Sequence, residues 1–105
     1  MASSPTSRTL DKLRADGWLV AVVEKYNPHA RIRQDLFGFV DILALRDGET
    51  LAVQATSRSN ISARVNKIAE HENLAAVRKA GWLIQVWGWG KDAKGKWQVR
   101  IVDCS

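Results

Sequence analysis

Phe39-Val40-Asp41-Ile42-Leu43-Ala44-Leu45-Arg46-Asp47-Gly48-Glu49-Thr50-Leu51-Ala52-Val53-Gln54-Ala55-Thr56 is the stretch that decides the fold. Its two apolar runs, Phe39 to Leu45 and Leu51 to Ala55, are short and bounded by turn residues, which reads as two strands. Asp47-Gly48 between them is a strong hairpin signal, and a two-residue turn fixes the register. Arg46 then faces Glu49, Leu45 faces Thr50, Leu43 faces Ala52, and Asp41 faces Gln54. Side chains directly across an antiparallel pair have Cβ atoms about 5 Å apart. Alternation along the strand puts Thr56 on the face of Gln54. One patch of sheet is therefore expected to carry Asp41, Gln54 and Thr56 together.

On the N-terminal side, Thr6 or Ser7 is placed to cap a helix over residues 8–16, with Leu10 and Leu13 inward and Gly17 as its stop. Trp18 to Val23 is a dense apolar run and reads as the first strand, broken by Asn27-Pro28-His29. On the C-terminal side, a long helix is expected from Ile61 to just before Gly81, capped by Ser59 or Asn60. Ile61, Val65, Ile68 and Ala75 form its apolar face. Leu83 to Trp89 reads as a fourth strand, Gly90 to Lys96 as a polar turn, and Trp97 to Val102 as a fifth strand. Residues 1–7 are expected to be a loose tail and 8–105 a single domain. The fold class is α/β, a mixed five-stranded sheet flanked by helices.

The chain has 105 residues, 46% hydrophobic and 26% charged, an ordinary globular composition that fills one domain. Sixteen Lys and Arg against eleven Asp and Glu give a net charge of +5, compatible with a polyanionic partner. The single cysteine, Cys104, excludes an internal disulfide and a cysteine metal site, so a reducing, cytoplasmic compartment is expected. Met1 to Ser7 has no apolar core, and no apolar run approaches the roughly 20 residues that span a bilayer, so no membrane association is expected. His29 and His71 sit in no ligand-spaced motif, and no Ser-His-Asp arrangement or phosphate-cradling glycine loop is present.

Asp41 in the middle of an apolar strand calls for a partner, because a buried unpaired charge is costly. One reading is an ion pair with an arginine such as Arg58. The other is a metal-binding carboxylate, and oxygen donors without a cysteine or histidine cluster suit Mg²⁺ or Mn²⁺ better than zinc.

Asp35-Leu-Phe-Gly-Phe-Val-Asp41-Ile-Leu-Ala-Leu, Asp47-Gly48 and Leu51-Ala-Val-Gln54-Ala-Thr56-Ser57 together resemble the core of the PD-(D/E)XK nucleases. The likeness is to the small Holliday-junction-resolvase and restriction-endonuclease-like branch, which includes short phage-encoded members. The resemblance implies that Asp41 is the metal-binding aspartate, that Gln54 stands where the family has glutamate, and that Thr56 stands where it has lysine. An amide oxygen still ligates a hard cation but brings no charge, and threonine supplies no positive charge to a developing phosphorane. Lys67, Arg58 or Arg64 would then replace the missing cation. Glu24 or Asp35 would replace the missing acid, with Asp11 a weaker candidate. The implied metal set is Asp41, Gln54 and Glu24, and the implied catalytic set adds Asp35, Thr56 and Lys67.

The reaction this resemblance implies is Mg²⁺- or Mn²⁺-assisted hydrolysis of a DNA phosphodiester by a homodimer. Arg64, Lys67, His71 and Arg78 fall on one stripe of the expected long helix. With Arg31, Arg33 and Arg58 they are the candidate phosphate contacts. Trp87 and Trp89 share a strand face with Gln85 while Trp82 falls on the other, a pattern that reads as core packing or a dimer interface more than base stacking. Two other functions fit the same residues: a nucleic-acid-binding module without catalysis, which Gln54 and Thr56 would suit, and a protein-interaction domain.

Overall fold

The computed structural model describes residues 4–105. In chain order the elements are α1 (Pro5–Ala15), β1 (Leu19–Val22), β2 (Lys25–Asn27), β3 (Ile32–Gln34), β4 (Ile42–Arg46) and β5 (Glu49–Ser57). A 3-10 turn (Arg58–Asn60) leads into α2 (Ile61–Ala69), α3 (Leu74–Lys79), β6 (Leu83–Lys91) and β7 (Trp97–Asp103). The main sheet runs β1-β4-β5-β6-β7. β5 and β6 are parallel and the other neighbours antiparallel, so the expected mixed five-stranded sheet is the one found.

The β4–β5 hairpin has the register that its turn dictates. Asp47 (φ 47°) and Gly48 (φ 79°) both adopt positive φ, as a type I′ turn requires. Arg46 pairs with Glu49, Leu43 with Ala52 and Ile42 with Val53. The ladder ends at Ile42 against Val53: the Asp41 N–H donates to Val53 O at 3.0 Å, one residue off that register. The expected pairing of Asp41 with Gln54 is therefore not part of it, and Asp41 Oδ2 accepts from the Ala55 N–H instead.

Both faces of the sheet are covered. Ala52, Ile84 and Val86, with Phe39 and Val40, pack against Ile61, Ile68, Leu74 and Val77 from α2 and α3. Ile42, Ala44, Leu51, Val53, Trp87 and Trp89 lie under Leu13 of α1. Trp87 and Trp89 thus share the α1 face while Trp82 packs on the other, as strand alternation predicts. The Trp89 indole N–H donates to Thr9 Oγ1 at 2.9 Å, and Thr9 is fully buried.

Three sequence expectations change. Helix α1 begins at Pro5, not residue 8, because Ser4 and Ser7 cap it reciprocally. Ser4 Oγ accepts from the Ser7 N–H (3.1 Å) and Ser7 Oγ from the Ser4 N–H (2.9 Å), with proline at the first helical position. Residues 5–7 of the expected tail are thus its first turn, and residues 1–3 lie outside the described residues.

The long helix over 61–80 is two helices. In the break the His71 ring sits edge-on to Phe39 with centroids 5.3 Å apart, and a Cβ at Gly38 would overlap it. Asn73 donates its N–H to His71 Nδ1 (3.1 Å) and its side-chain amide to Phe37 O (3.1 Å). The stripe Arg64–Lys67–His71–Arg78 therefore does not exist as one face. His71 turns to Gly38, and Arg78 donates to Cys104 O at 3.0 Å through Nη2.

The third change is that Asn27-Pro28-His29 is part of a hairpin tip. β2 and β3 pair antiparallel as a two-stranded sheet of their own, with Tyr26 opposite Arg33. Asn27 Oδ1 accepts from the N–H groups of His29 and Ala30 and so shapes the turn, and Arg31 closes it at φ 53°.

Candidate metal centre

Three acids from three segments meet at one end of the sheet. Glu24 follows β1, Asp35 follows β3, and Asp41 directly precedes β4. A tight loop brings the last two together. Leu36 and Val40 exchange backbone hydrogen bonds (2.9 and 3.0 Å), and Phe37 (φ 55°) and Gly38 (φ 89°) reverse the chain between them. The Val23 N–H donates to Asp41 O at 2.9 Å, which draws Glu24 alongside. One carboxylate oxygen from each of Glu24, Asp35 and Asp41 lies within 4.8 Å of the others.

Each acid has a distinct polar contact. Arg33 Nη1 lies 3.1 Å from Glu24 Oε1, and Lys67 Nζ lies 3.6 Å from Asp35 Oδ2. Gln54 Nε2 donates to the same Asp35 oxygen at 3.2 Å, and the Ala55 N–H donates to Asp41 Oδ2 at 3.0 Å. Asp41 itself, 6% exposed, forms no ion pair among the described residues. Burial pushes its carboxyl up to about 7, aided by a hydrogen bond and the negative charge of Asp35 and by the charge of Glu24; the Ala55 N–H opposes the shift.

These residues fit a hard divalent cation. All the donors are oxygens, and three carboxyl groups supply the charge. Gln54, 1% exposed, leaves its Oε1 without a hydrogen-bond partner among the described residues. A buried unpaired carbonyl costs about 1–3 kcal/mol. That oxygen is the other half of the amide already bonded to Asp35.

The cluster opens into a cleft of about 840 Å³. Asp41, Ala55 and Thr56 form part of its lining at the sheet, and Tyr26 and Arg33 bring in the β2–β3 hairpin. The first turn of α1 (Ser4, Pro5, Thr6) and the α2 side (Asn60, Arg64, Lys67) complete it.

Of the residues expected from sequence, Asp41, Thr56, Glu24, Asp35, Lys67, Arg33 and Arg64 line this cleft, and Gln54 sits behind it bonded to Asp35. Arg58 does not line it. Its guanidinium lies over Gly90, at a second cavity of about 400 Å³. An Arg58–Asp41 ion pair is therefore not what Asp41 has. Arg31 is at the hairpin tip, Arg78 is held at Cys104, and Asp11 is exposed on α1 outside the acid cluster. Ser57 and Asn60 also line the cleft, as do Tyr26 and the α1 first turn, which sequence does not point to because they arrive through a hairpin and a cap whose signals are short.

No family model, no curated protein and no solved structure matches the chain. What stands is a mixed five-stranded sheet with flanking helices and a buried acidic cluster.

Proposed function

We propose that this chain is a divalent-metal-dependent nuclease of restriction-endonuclease-like design that hydrolyses phosphodiester bonds, with DNA as its substrate. The observation that carries the reading is the meeting of Glu24, Asp35 and Asp41 within 4.8 Å, with Lys67 3.6 Å from Asp35, in an open cleft flanked by Arg33 and Arg64.

Glu24, Asp35 and Asp41 would hold Mg²⁺ or Mn²⁺, and Gln54 would add Oε1 as a neutral fourth donor once its amide turns over from Asp35. Bound there, the cation supplies Lewis-acid polarisation of a phosphoryl oxygen. The Ala55 N–H fixes the Asp41 carboxylate in place. Lys67 reaches the site from α2 and brings the positive charge that Thr56 lacks, placed to stabilise negative charge developing on phosphorus. Arg33 and Arg64 line the cleft where flanking phosphates would pass. Symmetric cutting of two strands calls for a second copy related by a two-fold axis, a state that sedimentation reads directly.

The test is incubation of purified protein with branched, duplex and single-stranded DNA in Mg²⁺ or Mn²⁺. Wild type cleaves; Asp41→Ala abolishes cleavage, and Lys67→Ala slows it by about 10²–10³, the size of effect seen when one transition-state donor is removed. Binding without cleavage by wild type favours the alternative suited by Thr56, a nucleic-acid-binding module on the same scaffold. Cleavage that survives Asp41→Ala refutes the site.

A further inference from the structure

The β2–β3 hairpin runs between two of the acids, Glu24 and Asp35, and projects from the site. It pairs with neither edge of the five-stranded sheet. None of its six strand residues is buried. A two-stranded hairpin that buries nothing is marginal in water, so this one gains little from the core, yet its form is well defined. Asn27 shapes the turn with two side-chain hydrogen bonds, and Tyr26 pairs across to Arg33.

Its surface has a definite chemistry. From Lys25 to Gln34 there are three permanent cations, Lys25, Arg31 and Arg33, and no acid, so this short segment holds three charges of a net +5 for the whole chain. Lys25 and Arg31 have no ion pair among the described residues. Tyr26 is 61% and Ile32 49% exposed, giving the arm apolar contact area beside its charges. The arm is also rooted at the site, since Tyr26 and Arg33 line the cleft that holds Asp41.

We propose that the β2–β3 hairpin is a duplex-binding arm that enters the major groove of B-form DNA next to the scissile strand. Duplex DNA, and not single strands or A-form RNA, would then be the substrate class of the nuclease reading on which this rests. The B-form major groove, about 12 Å wide, admits a two-stranded ribbon; the A-form major groove is deep and narrow and does not. Lys25 and Arg31 contact phosphates along the groove, and Tyr26 and Arg33, on the cleft side, guide the strand towards the acids. A purely electrostatic surface would need neither an ordered tip nor exposed tyrosine and isoleucine.

The test measures binding in Ca²⁺ by fluorescence anisotropy, using a short labelled blunt DNA duplex, its single strand and an RNA duplex of the same sequence. Wild type prefers the DNA duplex by about tenfold or more. The Lys25→Ala/Arg31→Ala double variant weakens duplex binding about tenfold and lowers the slope of log affinity on log salt by about two, one for each phosphate no longer neutralised. Lys94→Ala/Lys96→Ala removes the same charge from the exposed β6–β7 turn and leaves the slope unchanged. Mn²⁺ uptake by calorimetry is the same in all these forms.

Equal effects of the two double variants, or none from the arm variant, overturn the arm. Equal affinity for duplex and single strand overturns the duplex assignment. DNA cleavage that persists while binding ignores the arm removes this inference alone. A chain that takes up Mn²⁺ but binds no nucleic acid removes the nuclease reading with it.

Discussion

At the scale of single residues, Asp41 and Gln54 both meet the same neighbour, Asp35. A hydrogen bond with Asp35 helps to raise the Asp41 carboxyl, and Gln54 donates an amide hydrogen to Asp35 at 3.2 Å. An amide can do this without a cation and, after turning over, offer its oxygen to one, which a glutamate cannot. The Asp41 carboxyl, raised to about 7 from 3.8, also predicts a pH dependence for the metal-free fold. Between these values the folded state keeps a proton that the unfolded chain has lost. The stabilisation is full below about pH 4 and is lost as the pH rises through 7. Metal-free protein melted between pH 4 and 8 should show a melting temperature that falls across this window, and Asp41→Asn should flatten the fall. A profile unaffected by the substitution would mean that another group sets it. Asp41 was legible in the sequence because a charge in an apolar strand is conspicuous. The donor role of Gln54 was not, because it depends on Asp35 arriving through the Leu36–Val40 loop.

At the scale of elements, legibility follows how local the signal is. The Asp47-Gly48 turn states its own backbone geometry, so the hairpin and its register came directly from sequence. The α2–α3 break is marked in sequence only by the polar run Glu70-His71-Glu72-Asn73, and in it His71 packs on Gly38 and Phe39, more than thirty residues away in the chain. The β2–β3 hairpin was missed because its strands are three residues each and do not alternate into a core. Gly38 is where this packing is most exposed to test. Its φ of 89° disfavours any side chain, and a Cβ would strike the His71 ring, which the Asn73 N–H and Phe39 hold in place. Gly38→Ala should cost about 2–4 kcal/mol in urea denaturation. Adding His71→Ala should recover the steric part and leave the backbone part, a coupling that a double-mutant cycle isolates.

At the scale of the molecule, the acids come from residues 24, 35 and 41, and their partners come from β3, β5 and α2, so the site exists only in the assembled fold. A cation held there would therefore be linked to folding. Mn²⁺ at a hundred times its Kd should raise unfolding free energy by about 2.7 kcal/mol at one site, seen as a rise in melting temperature that Asp41→Asn removes. Gln54→Glu should melt lower than wild type without metal, because a fourth carboxyl joins the cluster, and gain more from Mn²⁺. Equal metal-induced shifts in wild type and Asp41→Asn would place the cation elsewhere. Among the described residues no helix is long and apolar enough to cross a membrane.

The seating of α1 on the sheet has a practical consequence for optical work. Trp89 is hydrogen-bonded to Thr9, and the Arg8 guanidinium stacks 3.3 Å from the Trp97 ring centroid, while the first turn of the same helix lines the cleft. The chain thus has intrinsic fluorophores against the helix whose first turn borders the acid cluster's cleft. Detachment of α1 would expose the Trp89 indole to water and shift its emission to the red, so the order of that wall can be followed without a dye.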